Sequence, residues 1–102
     1  MRMMQTIPTL NTLRQHRDEI LALARQYHAQ RVFVFGSVAR GEATPHSDID
    51  LLIQFSPEYK LRDLLRFAQT LEALLGRPVD VIPEENIRAE YRPYIMQETQ
   101  PL

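Results

Sequence analysis

Hydrophobic positions along the chain alternate between a helical and a strand-like period. Leu10, Leu13, Ile20, Ala24 and Tyr27 recur near one side of a helix that Thr9 or Asn11 can cap and that runs to about residue 29. Leu23 widens the stripe, and Arg17 interrupts it with a stem able to lie over the core edge. Residues 1–8 read as a loose lead-in. Residues 32–35, Val-Phe-Val-Phe, form a short β-branched and aromatic run, and residues 50–55 form a second one. Both have the composition of buried strands. Between them, residues 37–40 suit a short helix and residues 42–47, with Pro45, a turn.

Ser56, Pro57 and Glu58 break the second strand. Helical spacing then returns over residues 61–75 through Leu61, Leu64, Leu65, Ala68, Leu71, Leu74 and Leu75, and Gly76 stands where a helix C-cap belongs. Residues 79–82, Val-Asp-Val-Ile, predict a third strand with Val79 and Val81 turned to the core and Asp80 to the other face. Pro83 ends it. Residues 84–97 predict a last helix, bent near Pro93, in which Tyr91, Tyr94, Ile95 and Met96 are assigned to the core edge, with a partner surface as the alternative.

At 102 residues the chain predicts one domain, residues 1–102, with a modest core and no room for a separate substrate domain. Twelve Lys and Arg against 13 Asp and Glu leave no global basic footprint, so direct nucleic-acid binding is not expected. The absence of cysteine excludes a disulfide framework and thiolate metal sites. No apolar run has membrane-spanning length and no signal-peptide pattern opens the chain; the expectation is a soluble, cytoplasmic protein without membrane association. His16 and His28 lie twelve positions apart without an acidic partner at metal-binding spacing and are given no ligand role.

The loop between the first two strands carries the chemistry. Gly36 and Ser37 put a small flexible residue and a hydroxyl at the end of the first strand, a place suited to wrapping backbone N–H groups around an anion. Asp48 and Asp50 are two apart, so on an extended backbone both point one way while Ile49 points the other. Like charges so held raise one another's pKa, and a hard divalent cation such as Mg2+ relieves the cost and also grips phosphates. If the third strand lies beside the second, Asp80 brings a third carboxylate to the same point. For Arg40 two readings stand open: a phosphate ligand, or a surface residue paired with Glu42.

Gly36-Ser37, Arg40-Gly41 and Ser47-Asp48-Ile49-Asp50, in this order and spacing, resemble the signature of the polymerase-beta-like nucleotidyltransferase superfamily, and the short chain is similar to its minimal members, the MntA-type antitoxins. The resemblance implies an α/β (α+β) fold with a small mixed sheet covered on one side by helices. It implies that Gly36 and Ser37 grip phosphate, that Arg40, Gly41 and Ser47 shape the nucleotide loop, and that Asp48, Asp50 and Asp80 hold two Mg2+ ions. ATP is then the substrate and a tyrosine hydroxyl of a HEPN-domain ribonuclease toxin the acceptor, in a hetero-oligomer. A toxin-masking subunit without catalysis and transfer to a small-molecule acceptor are the alternatives.

Overall fold

The computed structural model describes residues 6–102. Helix α1 (Leu10–Gln15) is opened by Thr9, whose side chain accepts the Thr12 N–H at 3.0 Å while the Thr12 hydroxyl accepts the Thr9 N–H. The single helix expected here is broken. His16 leaves helical geometry (φ −101°, ψ 14°), and α2 (Arg17–Gln26) starts after it. The helix also stops short of residue 29, because Tyr27 and His28 turn the chain; His28 takes φ +66°, left-handed geometry that histidine tolerates better than most residues. The turn lets strand β1 begin at Ala29, three residues before Val32, and run as Ala29–Phe35. Of the lead-in expected over residues 1–8, residues 1–5 lie outside the described residues. The remainder is anchored rather than loose: Pro8 is buried and the Thr6 carbonyl accepts from Arg77.

After β1 come α3 (Gly36–Arg40), a turn without regular structure, β2 (Ile49–Phe55), α4 (Leu61–Leu75) and β3 (Val79–Pro83). Helix α4 coincides with its sequence expectation. Asp63 accepts the Lys60 N–H at its start, and Gly76 closes it in left-handed geometry. The chain beyond β3 departs from expectation. A 3-10 turn (Glu84–Asn86) is followed by irregular chain and then by α5 (Arg92–Glu98), in which Pro93 sits in the first turn instead of bending a longer helix. A two-residue strand β4 (Gln100–Pro101), unforeseen in the sequence, follows.

The sheet order is β3-β2-β1-β4. Strand β1 is antiparallel to β2 and to β4, while β2 and β3 run parallel, the crossover being made by α4. Alternation turns Ile49, Leu51 and Ile53 of β2 and Val32 and Val34 of β1 toward α2 and α4, where they pack with Ile20, Ala24, Phe67 and Leu71. Phe67, absent from the apolar stripe expected of α4, is fully buried, whereas Leu61 and Leu65 of that stripe are 69% and 52% exposed. Burying an aromatic ring of this size contributes about 1.5–3 kcal/mol, so Phe67 outweighs either exposed leucine in holding α4 down. Leu52 faces away from this core yet is also fully buried, aligned in register with Phe33 and Ile82. Leu102, 5% exposed, closes the core beyond β4 through a hydrogen bond from its N–H to the Val32 carbonyl.

Candidate active site

Topology assembles the site. Because β1 runs antiparallel to β2 and β2 parallel to β3, the end of β1 and the beginnings of β2 and β3 meet at one end of the sheet. The register there is Phe35 beside Asp50 beside Asp80. Gly36 follows Phe35 at once, so its backbone lies against the Asp50 carboxylate; a Cβ on Gly36 would collide with Asp50 Oδ2. Its φ of +73° turns the chain out of β1 into α3. Ile49, 2% exposed, anchors the beginning of β2 in the core, and Asp48 is left exposed just before it.

Asp50 is half-buried and Asp80 exposed. The Asp50 pKa is pushed up from its ordinary 3.8 to about 6, first by burial and then by the charge and hydrogen-bonding proximity of Asp80, with Asp48 adding to the rise and Arg40 opposing it. Two carboxylates this close require a proton or a cation between them. Among the described residues, no group of three or more His, Cys, Asp or Glu side chains is placed to hold a metal ion, so the convergence expected of Asp48, Asp50 and Asp80 on one point is not formed as the side chains stand. The structure thus sets Asp50 beside Asp80 in register on paired strands, while Asp48, just before β2, adds to the rise through its charge. All three supply the hard oxygen donors that suit Mg2+, so the donor chemistry fits that ion.

This coupling has a pH signature in metal-free buffer. A carboxyl whose folded pKa is raised binds its proton more tightly in the native state. Its stabilising contribution is present in full below about pH 3.8 and is lost as pH rises through about 6. Allowing for solvent screening of a partly exposed group, about 1–2 kcal/mol should disappear across that window. Urea unfolding in EDTA between pH 4 and 7 is expected to show the decline, Asp50→Asn to flatten it, and Mg2+ at pH 7 to restore stability; an unchanged slope in the variant would remove Asp50 as its source.

Other predicted residues have visible structural work. Ser47 Oγ accepts the Thr44 N–H at 2.8 Å, stapling the turn that leads to Asp48. Gly41 ends α3 in left-handed geometry. Arg40 pairs with Glu42, Nε to Oε1 at 2.8 Å, as its surface reading required, and Nη1 also reaches both oxygens of Glu98 at 3.2 Å. Ser37 is half-buried at the start of α3.

Two residues at the site escaped the sequence. Arg77 donates to the carbonyls of Pro45 and Ser47 at 3.1 and 2.9 Å and to that of Thr6. It ties the loop bearing Asp48 to the segment entering β3, where the Ile49 N–H bonds the Pro78 carbonyl. Glu98 arrives from the far end of the chain, and its Oε1 accepts the Gly36 N–H at 3.3 Å. A cleft of about 590 Å³ at the opposite end of β2, walled by Phe55, Ser56, Tyr59, Glu84 and Arg92 among others, is lined by none of the three aspartates. The carboxylate row stands at the other end of the sheet, where β1 ends and β2 and β3 begin.

The sequence over residues 13–102 matches the nucleotidyltransferase domain family. The chain belongs to that family. Protein adenylyltransferase MntA of Thermococcus cleftensis is 31% identical over 86 residues, covering 84% of each chain. A solved structure described provisionally as a minimal nucleotidyltransferase superposes with a TM-score of 0.82 at 44% identity, covering 92% of this chain and 96% of that one. A chain from the structure of a tri-AMPylated Shewanella oneidensis HEPN toxin in complex with MNT antitoxin shares the fold, with a TM-score of 0.64 and 18% identity over 86% of this chain and 69% of that one. The nucleotidyltransferase described here is therefore an enzyme of the minimal polymerase-beta-like type, with the expected mixed sheet. Among its described residues no helix is long and apolar enough to cross a membrane.

Proposed function

We propose that this nucleotidyltransferase moves AMP from ATP to a tyrosine hydroxyl of a HEPN-family toxin and so acts as its antitoxin. The observation that carries the chemistry is the row Phe35, Asp50, Asp80, which lays the Gly36 backbone against the Asp50 carboxylate, whose charge the neighbouring Asp80 opposes. The acceptor is argued from similarity: a relative bears the name protein adenylyltransferase, and a chain of this fold occurs in a complex with an AMP-bearing HEPN toxin.

In this reading Asp48, Asp50 and Asp80 hold Mg2+, which when bound neutralises triphosphate charge and lowers the pKa of the attacking hydroxyl. The Gly36 and Ser37 backbone and the Arg40 guanidinium receive the phosphates. The tyrosine oxygen forms a bond to the α-phosphorus, the α–β anhydride bond breaks, and pyrophosphate leaves with the electron pair. Asp80, the exposed member of the pair, accepts the hydroxyl proton.

Incubating the protein with its toxin partner, ATP and Mg2+ is expected to raise the intact mass of the toxin by AMP units located on tyrosine. An unchanged toxin mass, with the complex formed, would reject the activity. Non-catalytic masking is the second reading, favoured by the exposed Tyr91, Tyr94 and Met96 (56%, 72% and 40%), which the structure removes from the core edge expected of them. Neutralisation that persists in Asp48→Asn/Asp50→Asn, with binding intact, would select it.

A further inference from the structure

We infer that Glu98 is an internal competitor for nucleotide phosphate, holding the Gly36–Arg40 cradle until ATP displaces it and thereby setting nucleotide affinity. The inference rests on the adenylyl-transfer reading for what enters the cradle. Its own ground is the set of contacts of one side chain. Glu98 Oε1 accepts from the Gly36 N–H at 3.3 Å, and Arg40 Nη1 donates to Oε1 and Oε2 at 3.2 Å each. A backbone N–H at a strand-to-helix turn, together with a forked guanidinium, is the donor set that an oxyanion takes. The oxyanion found on it is a carboxylate from 58 positions further along the chain than Arg40.

The contacts are built to be exchanged. Charge-assisted N–H to carboxylate bonds settle at about 2.7–2.9 Å. The Arg40 bond to Glu42 meets that length at 2.8 Å, whereas every contact to Glu98 is longer. Glu98 is also the last residue of α5, where the carbonyl end of the helix disfavours a negative charge. Its side chain is 30% exposed, so a path to solvent is open once the cradle is surrendered. A phosphate group offers more oxygens and more charge to the same donors and wins the exchange. Arg40 remains oriented throughout by Glu42.

Binding of ATP with Mg2+, and separately of inorganic triphosphate, to the full chain and to Glu98→Gln and Glu98→Ala tests this by calorimetry. Removing the competitor is expected to tighten ATP about tenfold in Glu98→Ala; Glu98→Gln, which keeps an acceptor but loses the charge, should gain about threefold. Triphosphate should follow the same order, because the competition concerns the phosphates and not the base. In the transfer assay KM should fall with kcat within about twofold, a split that general loosening of α5 does not produce. Wild-type binding with equal or weaker binding by both variants would overturn the competitor role and make Glu98 a positioning residue for Arg40. Absence of ATP binding by wild type and both variants would remove the nucleotide reading itself, and this inference with it.

Discussion

Asp50→Asn is expected to reduce nucleotidyl transfer by a factor of about 1,000 or more while leaving the chain folded. Asparagine keeps the size and shape of the side chain and so its fit against the Gly36 backbone, but it withdraws the negative charge from the central position of the row. That charge matters twice in the proposed mechanism, as a ligand for the divalent cation and as its share of the field in which the triphosphate is neutralised; losses of such groups remove several kcal/mol of transition-state stabilisation. Stability should move the opposite way. With Asp80 alongside and Asp48 nearby, ionised Asp50 is opposed by burial and by both neighbours. In EDTA at neutral pH the asparagine variant is therefore expected to be about 1 kcal/mol more stable than wild type, as measured by urea midpoint at constant slope. Pyrophosphate release within tenfold of wild type would defeat the assignment of Asp50, and a less stable apo variant would defeat the account of its pKa.

What the sequence discloses of this site follows the distance over which each part is encoded. Gly36 to Asp50 is one continuous stretch between two strands whose pattern is local, so the turn out of β1 and the two carboxylates are legible directly. Asp80 is legible because alternation within Val79–Pro83 fixes its face and the parallel β2–β3 pairing then brings it beside Asp50. Arg77 and Glu98 are not. Each acts through contacts across 30 or more positions, Arg77 on backbone carbonyls that have no side-chain signal and Glu98 on a backbone N–H. The same physics explains the misread C-terminus. A helical propensity over residues 84–97 yields to tertiary pairing: the chain spends residues 87–91 crossing to place Pro93 in the first turn of α5 and then adds β4 to the free edge of β1. Tyr94 of α5 and Tyr91 just before it are exposed, in a helix that has no buried residue of its own and is held at the sheet by the strand that follows it.

The second large effect concerns the one glycine whose missing side chain is demanded by the site. Gly36, Gly41 and Gly76 share left-handed geometry, φ +73° to +74°, but their surroundings differ. A Cβ at Gly76 meets nothing within 4 Å, whereas a Cβ at Gly36 meets Asp50 Oδ2 in overlap and Cγ at 3.1 Å. Gly76→Ala should therefore cost only the conformational penalty, about 1 kcal/mol, and leave transfer intact. Gly36→Ala adds to that penalty the displacement of a half-buried carboxylate from its place beside Asp80. The expected cost is about 2–3 kcal/mol in stability, and a shift of the reacting geometry of the order of 1 Å carries a loss of about 100-fold in transfer. The interaction is separable by a double-mutant cycle. In an Asp50→Ala background the carboxylate is gone and only the Cβ of residue 50 remains, at 3.3 Å, so the stability cost of Gly36→Ala should fall most of the way to that of Gly76→Ala. If it stays at its full value there, the glycine is required for the turn alone, and the close approach of its backbone to the carboxylate row has no energetic consequence.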